Sequence, residues 1–316
     1  MIVVFGSLNA DLVFRVPSLP RPGETVLAPD YTVVAGGKGA NQAYAAARAG
    51  APTRMAGCVG DDEFGHVLLS SLSGAGVDTQ GVLHRETRTG CAAIAVDAAG
   101  ENQIAVAAGA NQEARAAQVP DDWLTPDTVL VLQMEVPAAE NWALIARAKQ
   151  AGGRVVLNVA PAAPVPPSVL EFVDVLIVNQ TEAMVVAEAA GVPETDPIRA
   201  IRSLARGFGM TTVVTLGADG AFACVGDEEW EVPPLKISPA DTTGAGDAFC
   251  GVLAAALDAG LAFTEALRRA GTAGALACTR AGAQTAMADA ADIEARLPEA
   301  PPVRRATSKR GNRHEA

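Results

Sequence analysis

The chain has 316 residues, of which 49% are hydrophobic and 19% charged, and 36 acidic against 24 basic side chains give it a formal net charge of −12. This balance is typical of a globular protein with a large core and excludes a disordered chain. The acidic total argues against general electrostatic capture of nucleic acid or of an anionic membrane, but it does not exclude small anions held by backbone dipoles.

Sorting signals and cysteines narrow the possibilities further. No apolar run reaches the roughly 20 residues that span a bilayer, and the first residues lack the positive segment of a signal peptide. The five cysteines are widely spaced and form no CxxC pair, which favours buried, reduced thiols over zinc or disulfides. We therefore expect a cytoplasmic protein without a membrane or nucleic-acid partner.

Short apolar runs typical of buried strands recur along the chain, at residues 2–5, 129–132, 155–157, 175–178 and 213–216. Ala-rich stretches with helical character lie between many of them, at residues 41–49, 138–151, 181–190 and 198–208. Strands that alternate with helices predict a mainly parallel sheet covered on both faces. In such sheets ligands bind beyond the carboxyl ends of the strands, so the turns that follow the strands are the places to look for a site.

Two segments depart from this alternation. Residues 12–35 contain several prolines with short β-prone pieces, and residues 90–108 have the pattern of a hairpin with its turn at 97–101. Both could form a small β-flap on the main sheet, and ordinary edge strands would fit the same pattern. Residues 298–316 are Pro-rich and then basic, which predicts a disordered tail after a single domain of residues 1–297.

The most informative segment is residues 241–249, Asp-Thr-Thr-Gly-Ala-Gly-Asp-Ala-Phe, which precede an apolar helix. Gly244, Ala245 and Gly246 can form a tight turn whose N–H groups converge at the positive end of that helix. Such an anion hole suits a transferring phosphoryl group, and Asp247 beside it could take the proton of an attacking hydroxyl. A plain tight loop is the alternative, which the length of the motif and the accompanying segments disfavour.

Two segments near the start suit a hydroxyl-rich ligand. Residues 36–43, Gly-Gly-Lys-Gly-Ala-Asn-Gln-Ala, allow close backbone approach and offer Lys38 and Asn41 as donors, but they lack the spacing of a Walker A loop or a dinucleotide fingerprint. Asn9 and Asp11 alternate after the first strand, so both can face one side and bind vicinal hydroxyls. A glycine loop that caps a helix and a polar turn are the structural alternatives.

Two later segments suit a nucleotide. Asn179 follows a strand and could cap the next helix, with Glu182 closing a capping box. Glu182 could also lie near a magnesium ion, through water, and both roles could hold at once. The turn at residues 215–220, Thr-Leu-Gly-Ala-Asp-Gly, could cradle phosphates with its N–H groups or be a simple hairpin turn.

Together these segments resemble the PfkB-type carbohydrate kinase family, and within it the ribokinase group, over about residues 2–297. The two most specific matches are residues 36–43 and residues 241–247. The second is typical of the family at large, whereas the first, with Asn9 and Asp11, is typical of the ribokinase group.

The resemblance implies an α/β fold, a three-layer α/β/α sandwich with a mainly parallel central sheet and a small β-lid that also forms a homodimer clasp. It implies transfer of the γ-phosphoryl group of ATP to a primary hydroxyl of a sugar, D-ribose above all, to give D-ribose 5-phosphate. Asp247 would be the catalytic base, and Gly244, Ala245 and Gly246 the anion hole. A kinase of another sugar or nucleoside, and a catalytically silent sugar-binding regulator on the same fold, remain alternatives.

The resemblance also implies the ligand contacts. The sugar would be bound by Asn9, Asp11, Gly37, Lys38, Asn41, Glu135 and Asp247. ATP would be bound by Asn179, Thr215, Gly217, Ala218, Asp219, Gly220 and Gly246, and magnesium organised by Glu182. A potassium ion would be held by the Asp241 carboxylate and by main-chain oxygens at Thr243, Ala277, Arg280 and Gly282. Ala286 stands where ribokinases commonly carry a serine, which removes one oxygen ligand.

Overall fold

The computed structural model describes residues 1–306, which contain fourteen strands and nine α-helices. The strands are β1 (Ile2–Phe5), β2 (Asn9–Arg15), β3 (Tyr31–Gly36), β4 (Thr53–Gly60), β5 (Asp78–Arg85), β6 (Gly90–Val96), β7 (Asn102–Ala107), β8 (Val129–Leu132), β9 (Arg154–Asn158), β10 (Val175–Asn179), β11 (Thr211–Thr215), β12 (Ala221–Val225), β13 (Glu228–Val232) and β14 (Arg304–Arg305). The helices are α1 (Lys38–Arg48), α2 (Glu63–Gly74), α3 (Ala138–Gln150), α4 (Pro167–Leu170), α5 (Gln180–Ala189), α6 (Pro197–Phe208), α7 (Ala245–Asp258), α8 (Phe263–Ala277) and α9 (Ala290–Arg296).

Ten strands form the central sheet, in the order β14-β13-β12-β11-β10-β9-β8-β1-β4-β5. The strands from β11 to β5 run parallel, and β12, β13 and β14 extend the sheet by antiparallel pairing. The predicted strands and helices are all present. Four of the predicted apolar runs are fully buried, as expected for strands covered on both faces.

Successive side chains of each strand enter opposite core layers. In β1, Val3 and Phe5 join a cluster with buried residues of α3, α4, α5 and α6, whereas Ile2 and Val4 join a cluster with those of α1, α2, α7 and α8. This alternation follows from the two-residue period of a strand. The result is the expected three-layer α/β/α sandwich. Among residues 1–306, no helix is long and apolar enough to cross a membrane.

The predicted flap is a separate four-stranded sheet in the order β3-β2-β6-β7, which we call the lid sheet. β2 and β3 pair antiparallel, β2 and β6 parallel, and β6 and β7 form the predicted hairpin. The lid sheet begins directly after β1 and returns to α1 through Gly36 and Gly37, so its base adjoins the carboxyl end of the central sheet.

The predicted boundary of the tail lies too early. Residues 298–306 belong to the fold, because Ala300 is buried, β14 pairs with β13, and the N–H of Ala306 donates to the carbonyl of Glu229 at 2.8 Å. One of the basic residues that suggested a tail has an acidic partner, since Arg305 lies 3.0 Å from Glu228. Residues 307–316, the remainder of the predicted tail, lie outside the described residues.

Candidate active site

The predicted site residues gather where the parallel strands end. β1 leads into Asn9 and Asp11, β8 is followed by Glu135, and β10 ends at Asn179. The helices α1, α5 and α7 begin at the same edge, because α5 follows β10 directly and the first turns of α1 and α7 are in contact. This is the position at which open α/β sheets bind their ligands.

Asp247 lies in the first turn of α7 and is only 7% exposed. Asn41 Nδ2 donates to Asp247 Oδ2 and Gln42 Nε2 donates to Asp247 Oδ1, each at 3.0 Å. Burial raises the pKa of Asp247, and the charge of Lys38 and the two amide hydrogen bonds only partly oppose that rise. A buried carboxylate with a raised pKa accepts a proton more readily than an ordinary aspartate.

The turn before Asp247 is open to an anion. Gly244 has a φ of 73°, in the left-handed region that favours glycine, and it caps α7 without any side-chain hydrogen bond. The N–H groups of Gly246 and Asp247 have no acceptor among residues 1–306. Free N–H groups at the positive end of a helix attract negatively charged oxygens. The turn therefore has the geometry expected of an anion hole.

The glycine loop before α1 is tied to Glu135. The N–H of Lys38 donates to Glu135 Oε2 at 3.1 Å, and Ser7 Oγ donates to the same oxygen at 2.6 Å. Gly37 has a φ of 89°, and a Cβ atom there would lie 2.6 Å from the nitrogen of Asn9. The close approach of this loop to β2 thus requires glycine at position 37.

Asn9 and Asp11 lie on β2, whose first residues pair with the end of β3 next to this loop. Asn111 Nδ2 donates to Asn9 Oδ1 at 2.7 Å, and the amide nitrogen of Asn9 donates no hydrogen bond to residues 1–306. Burial and the negative charges of Glu135 and Asp247 raise the pKa of Asp11 to about 7, against the opposing charge of Lys38. Asp11 therefore titrates near neutral pH.

Lys38 is the cation shared by these carboxylates. Burial lowers the pKa of Lys38, but the charges of Asp247, Glu135 and Glu182 outweigh burial, and its pKa is raised. The ammonium therefore stays charged at any physiological pH. It can donate to hydroxyl oxygens while it balances part of the surrounding negative charge.

Asn179 and Glu182 form the predicted capping box. The N–H of Glu182 donates to Asn179 Oδ1 at 2.9 Å, and the N–H of Asn179 donates to Glu182 Oε2 at 2.7 Å. Glu182 is only 6% exposed, and burial raises its pKa although the hydrogen bond from Asn179 and the charge of Lys38 oppose the rise. Its Oε1 accepts no hydrogen bond from residues 1–306 and is free for another partner.

The turn between Thr215 and Gly220 joins β11 to the antiparallel β12, so the hairpin interpretation is correct. Its own hydrogen bonds use the N–H groups of Leu216, Asp219 and Gly220. The N–H groups of Gly217 and Ala218 have no acceptor within the described chain. The turn can therefore also donate to phosphate oxygens, beside Asn179 on the adjacent strand.

Asp241 organises a second loop near the start of α7. Its Oδ1 accepts from the N–H and the hydroxyl of Thr243, and its Oδ2 accepts from the N–H of Gly282 at 2.9 Å. Burial alone would raise the pKa of Asp241, but these hydrogen bonds outweigh burial and lower it. The segments around residues 241–243 and 278–282 are thereby joined, and the N–H groups of Ala240 and Asp241 add hydrogen bonds to the carbonyl of Cys278.

Residues 1–290 match the family model described as pfkB family carbohydrate kinase. The chain belongs to the PfkB family. Its membership agrees with the motifs at residues 36–43 and 241–247, which the structure brings into contact through Asn41 and Asp247. The enzyme class expected from the sequence, an ATP-dependent carbohydrate kinase, is that of the family.

Relatives of this family member include ribokinases over nearly the whole chain. The ribokinase of Haemophilus influenzae is 34% identical over 290 residues, which cover 90% of this chain and 94% of that protein. A ribokinase structure from Thermotoga maritima has a TM-score of 0.88 at 31% identity and covers 94% of this chain and 99% of its own. The structure of Arabidopsis thaliana ribokinase complexed with ribose and ATP has a TM-score of 0.85 at 32% identity, with 94% and 98% covered.

The sequence analysis missed several polar residues at the site of this PfkB family member. Gln42 contacts Asp247 directly, and Gln133, Asn158, Asn111 and Gln284 are buried amides hydrogen-bonded to site residues or to Gln42. Asn158 carried a usable signal, because it ends a strand at the carboxyl edge of the sheet. Gln133 carried the same signal, because it directly follows β8, and Gln42 lies within the motif at residues 36–43. Asn111 and Gln284 follow no pattern that spacing or composition would single out.

Proposed function

We propose that the protein transfers the γ-phosphoryl group of ATP to the primary hydroxyl of D-ribose, giving D-ribose 5-phosphate and ADP. The observation that carries this proposal is the pairing of the buried Asp247 carboxylate with the open N–H groups at the start of α7. The choice of ribose is supported by the relatives named above, ribokinases that share about a third of their residues with this chain.

The chemistry needs one proton acceptor and one site for negative charge. The O5 oxygen forms the new bond to the γ-phosphorus while its proton passes to Asp247, and the bond from that phosphorus to the bridging oxygen breaks to release ADP. Charge that builds on the transferring oxygens would meet the open N–H groups of Gly246 and Asp247, whereas the N–H of Ala245 already donates to the carbonyl of Thr242 at 3.3 Å. Burial raises the pKa of Asp247, so its ionised carboxylate is a stronger base than that of an ordinary aspartate.

The sugar is recognised by a ring of donors and acceptors. Asp11 and Glu135 accept hydrogen bonds, and Lys38 and the free amide nitrogen of Asn9 donate them, which suits the vicinal hydroxyls of a pentose. Asn41 belongs to the same group and links it to Asp247 at 3.0 Å. The site offers no large apolar side chain among these residues for a nucleobase, which favours a small polyol.

Magnesium would accompany ATP on the side of Asn179. Glu182 fits this role, because its Oε1 is free while its Oε2 is fixed by Asn179. Residues 1–306 contain no cluster of three or more His, Cys, Asp or Glu side chains able to hold a metal ion. We expect Glu182 to act through metal-bound water, because Mg²⁺ usually retains several waters, and the ion would neutralise phosphate charge.

Potassium would lie at the loop held by Asp241. The lowered pKa of Asp241 keeps its carboxylate charged, and main-chain oxygens at Thr243, Ala277, Arg280 and Gly282 would complete a set of ligands suited to a hard cation. Ala286 is buried and supplies no hydroxyl. We expect potassium to stimulate the enzyme through the remaining ligands.

A homodimer through the lid sheet is the arrangement that its exposed side chains favour. Ile104 and Val106 of β7 are 55% and 59% exposed. In the strand register Ile104 pairs with Ile94 and Val106 pairs with Ala92, which in turn pairs with Asp11. All of these side chains therefore lie on one face of the lid sheet. A second lid sheet laid on this face would bury these apolar groups and cover the sugar.

The free cysteines at Cys58, Cys91, Cys224, Cys250 and Cys278 favour a reducing, cytoplasmic setting for this reaction.

The test is a coupled assay of ADP release with D-ribose, other sugars and nucleosides, each with and without potassium. We expect ribose to be the best substrate and Asp247→Asn to lower kcat by at least about 10²-fold without loss of fold. Asp122→Asn, an exposed aspartate outside the site, is the matched control. Preference for a nucleoside, ribose binding without ADP release, or normal turnover of Asp247→Asn would each overturn part of the proposal.

A further inference from the structure

Gln42 is fully buried in α1 and has hydrogen bonds on both ends of its amide. Its Nε2 donates to Asp247 Oδ1 at 3.0 Å and to Asn158 Oδ1 at 2.9 Å. Its Oε1 accepts from Gln133 Nε2 at 2.8 Å. Both hydrogens of the Gln42 amide are thus used, and one of them is directed at the carboxylate.

A backbone carbonyl fixes the direction of this chain of amides. The oxygen of Ile177 in β10 accepts from the N–H of Val159 at 3.1 Å and from Asn158 Nδ2 at 3.0 Å. A carbonyl oxygen can only accept, so Asn158 must turn its amide nitrogen toward β10 and its oxygen toward Gln42. Gln42 must then present its nitrogen, since its oxygen would face the oxygens of Asn158 and Asp247.

We propose that Gln42 is a positioning residue that fixes the orientation and the charge state of the catalytic carboxylate. This inference rests on the proposed role of Asp247 as the base. Asn41 holds one carboxylate oxygen and Gln42 holds the other, so the carboxylate cannot rotate about its bond to Cβ without breaking a hydrogen bond. The amide of Gln42 also stabilises the ionised form, which must be present before the hydroxyl can lose its proton.

The first test compares Gln42→Met and Gln42→Glu with the wild-type enzyme in the ribose assay. Met has about the volume of Gln but no donor, so kcat should fall roughly 10- to 100-fold, as for loss of a hydrogen bond to a charged group. The KM for ribose should stay within about twofold, because the fully buried Gln42 does not reach the sugar. The acid limb of the kcat profile should move to higher pH in Gln42→Met and further in Gln42→Glu, where a second carboxyl faces Asp247.

The control is Thr212→Val, which also removes a buried hydrogen bond, from Thr212 Oγ1 to the carbonyl of Ile201 at 3.0 Å, but outside the site. Its melting temperature should fall while its pH profile stays that of the wild type. A Gln42→Met enzyme with the wild-type pH profile, or one whose loss appears in KM instead of kcat, refutes the inference.

A second measurement does not depend on turnover. The carboxyl carbon of Asp247, labelled with ¹³C and assigned by its loss in Asp247→Asn, is titrated by NMR in the wild type and in Gln42→Met. We expect a higher pKa for Asp247 in the variant, because the amide favours the charged form. If the pKa of Asp247 is the same in the wild type and in Gln42→Met, the role of Gln42 is refuted, whether or not the protein phosphorylates a sugar. If the pKa differs as expected but the wild type is inactive, only the proposed function is refuted.

Discussion

We expect the Asp11 carboxylate to lower the free energy of unfolding, although it contributes to the proposed sugar site. Burial and the charges of Glu135 and Asp247 raise the pKa of Asp11 from 3.8 to about 7, although the charge of Lys38 opposes the rise. The folded protein therefore binds a proton at Asp11 that the unfolded chain has already lost. Because the folded state holds more protons over this range, the free energy of unfolding decreases as the pH rises from about 4 to about 7.

Asp11→Asn removes this penalty. A rise in pKa from 3.8 to about 7 corresponds to about 4 kcal/mol at 1.36 kcal/mol per unit. Asparagine still has a polar group to bury, so we expect a gain of about 1–3 kcal/mol near pH 8. For a chain of this size that gain is a rise of about 2–5 °C in melting temperature, and most of it should disappear near pH 4.

The same change should impair the site. The variant loses a charged acceptor for sugar hydroxyls, so the affinity for D-ribose should fall roughly 10- to 100-fold. In the wild type, ribose affinity should decline below about pH 7 as Asp11 becomes protonated. Thermal melting at both pH values and calorimetric titration with ribose measure the two effects, with Asp122→Asn as the control. A melting temperature that is unchanged at pH 8, or a gain of equal size near pH 4, would refute the reasoning.

Two further variants test the glycine loop at the sugar site and the C-terminal strand β14. Gly37→Ala should raise the KM for ribose at least about tenfold, because the added Cβ would lie 2.6 Å from the nitrogen of Asn9. The control is Gly23→Ala, which should leave KM unchanged, because Gly23 also has a positive φ but a Cβ there would have no atom within 4 Å. A chain ended at Leu297 should melt several degrees below one ended at Ala306, because it lacks β14 and its pairing with β13. Equal KM values in the first comparison, or equal melting temperatures in the second, would contradict these expectations.

The parts of the molecule that depend on local sequence were predictable. The apolar runs gave the strands of the parallel sheet, because a strand buried on both faces must be continuously apolar. The capping box at Asn179 and Glu182 was also predictable, since its two hydrogen bonds join residues three positions apart. For the same reason, the glycine turn before Asp247 could be placed at the start of a helix.

The interior of the site was not predictable in this way. Gln42, Gln133 and Asn158 are far apart in sequence, and no local pattern predicts that the sheet and α1 bring their amides into hydrogen-bond contact. The end of the domain was misplaced for a related reason. The basic and Pro-rich segment after Leu297 resembles a tail by composition, but the acidic edge at Glu228 lies 77 positions away from its partner Arg305.

Two aspartates on either side of one glycine turn show how the surroundings assign different roles to the same side chain. Asp241 accepts hydrogen bonds from Thr243 and Gly282, and these outweigh burial and lower its pKa. Asp247 has two neutral amides as hydrogen-bond donors and is far more deeply buried, so its pKa is raised. A carboxylate with a lowered pKa stays charged and can bind a cation, whereas one with a raised pKa accepts a proton more readily and can act as a general base. Gln42 and Asn41 therefore fix the direction of the Asp247 carboxylate and favour its ionised form without adding a positive charge beside it.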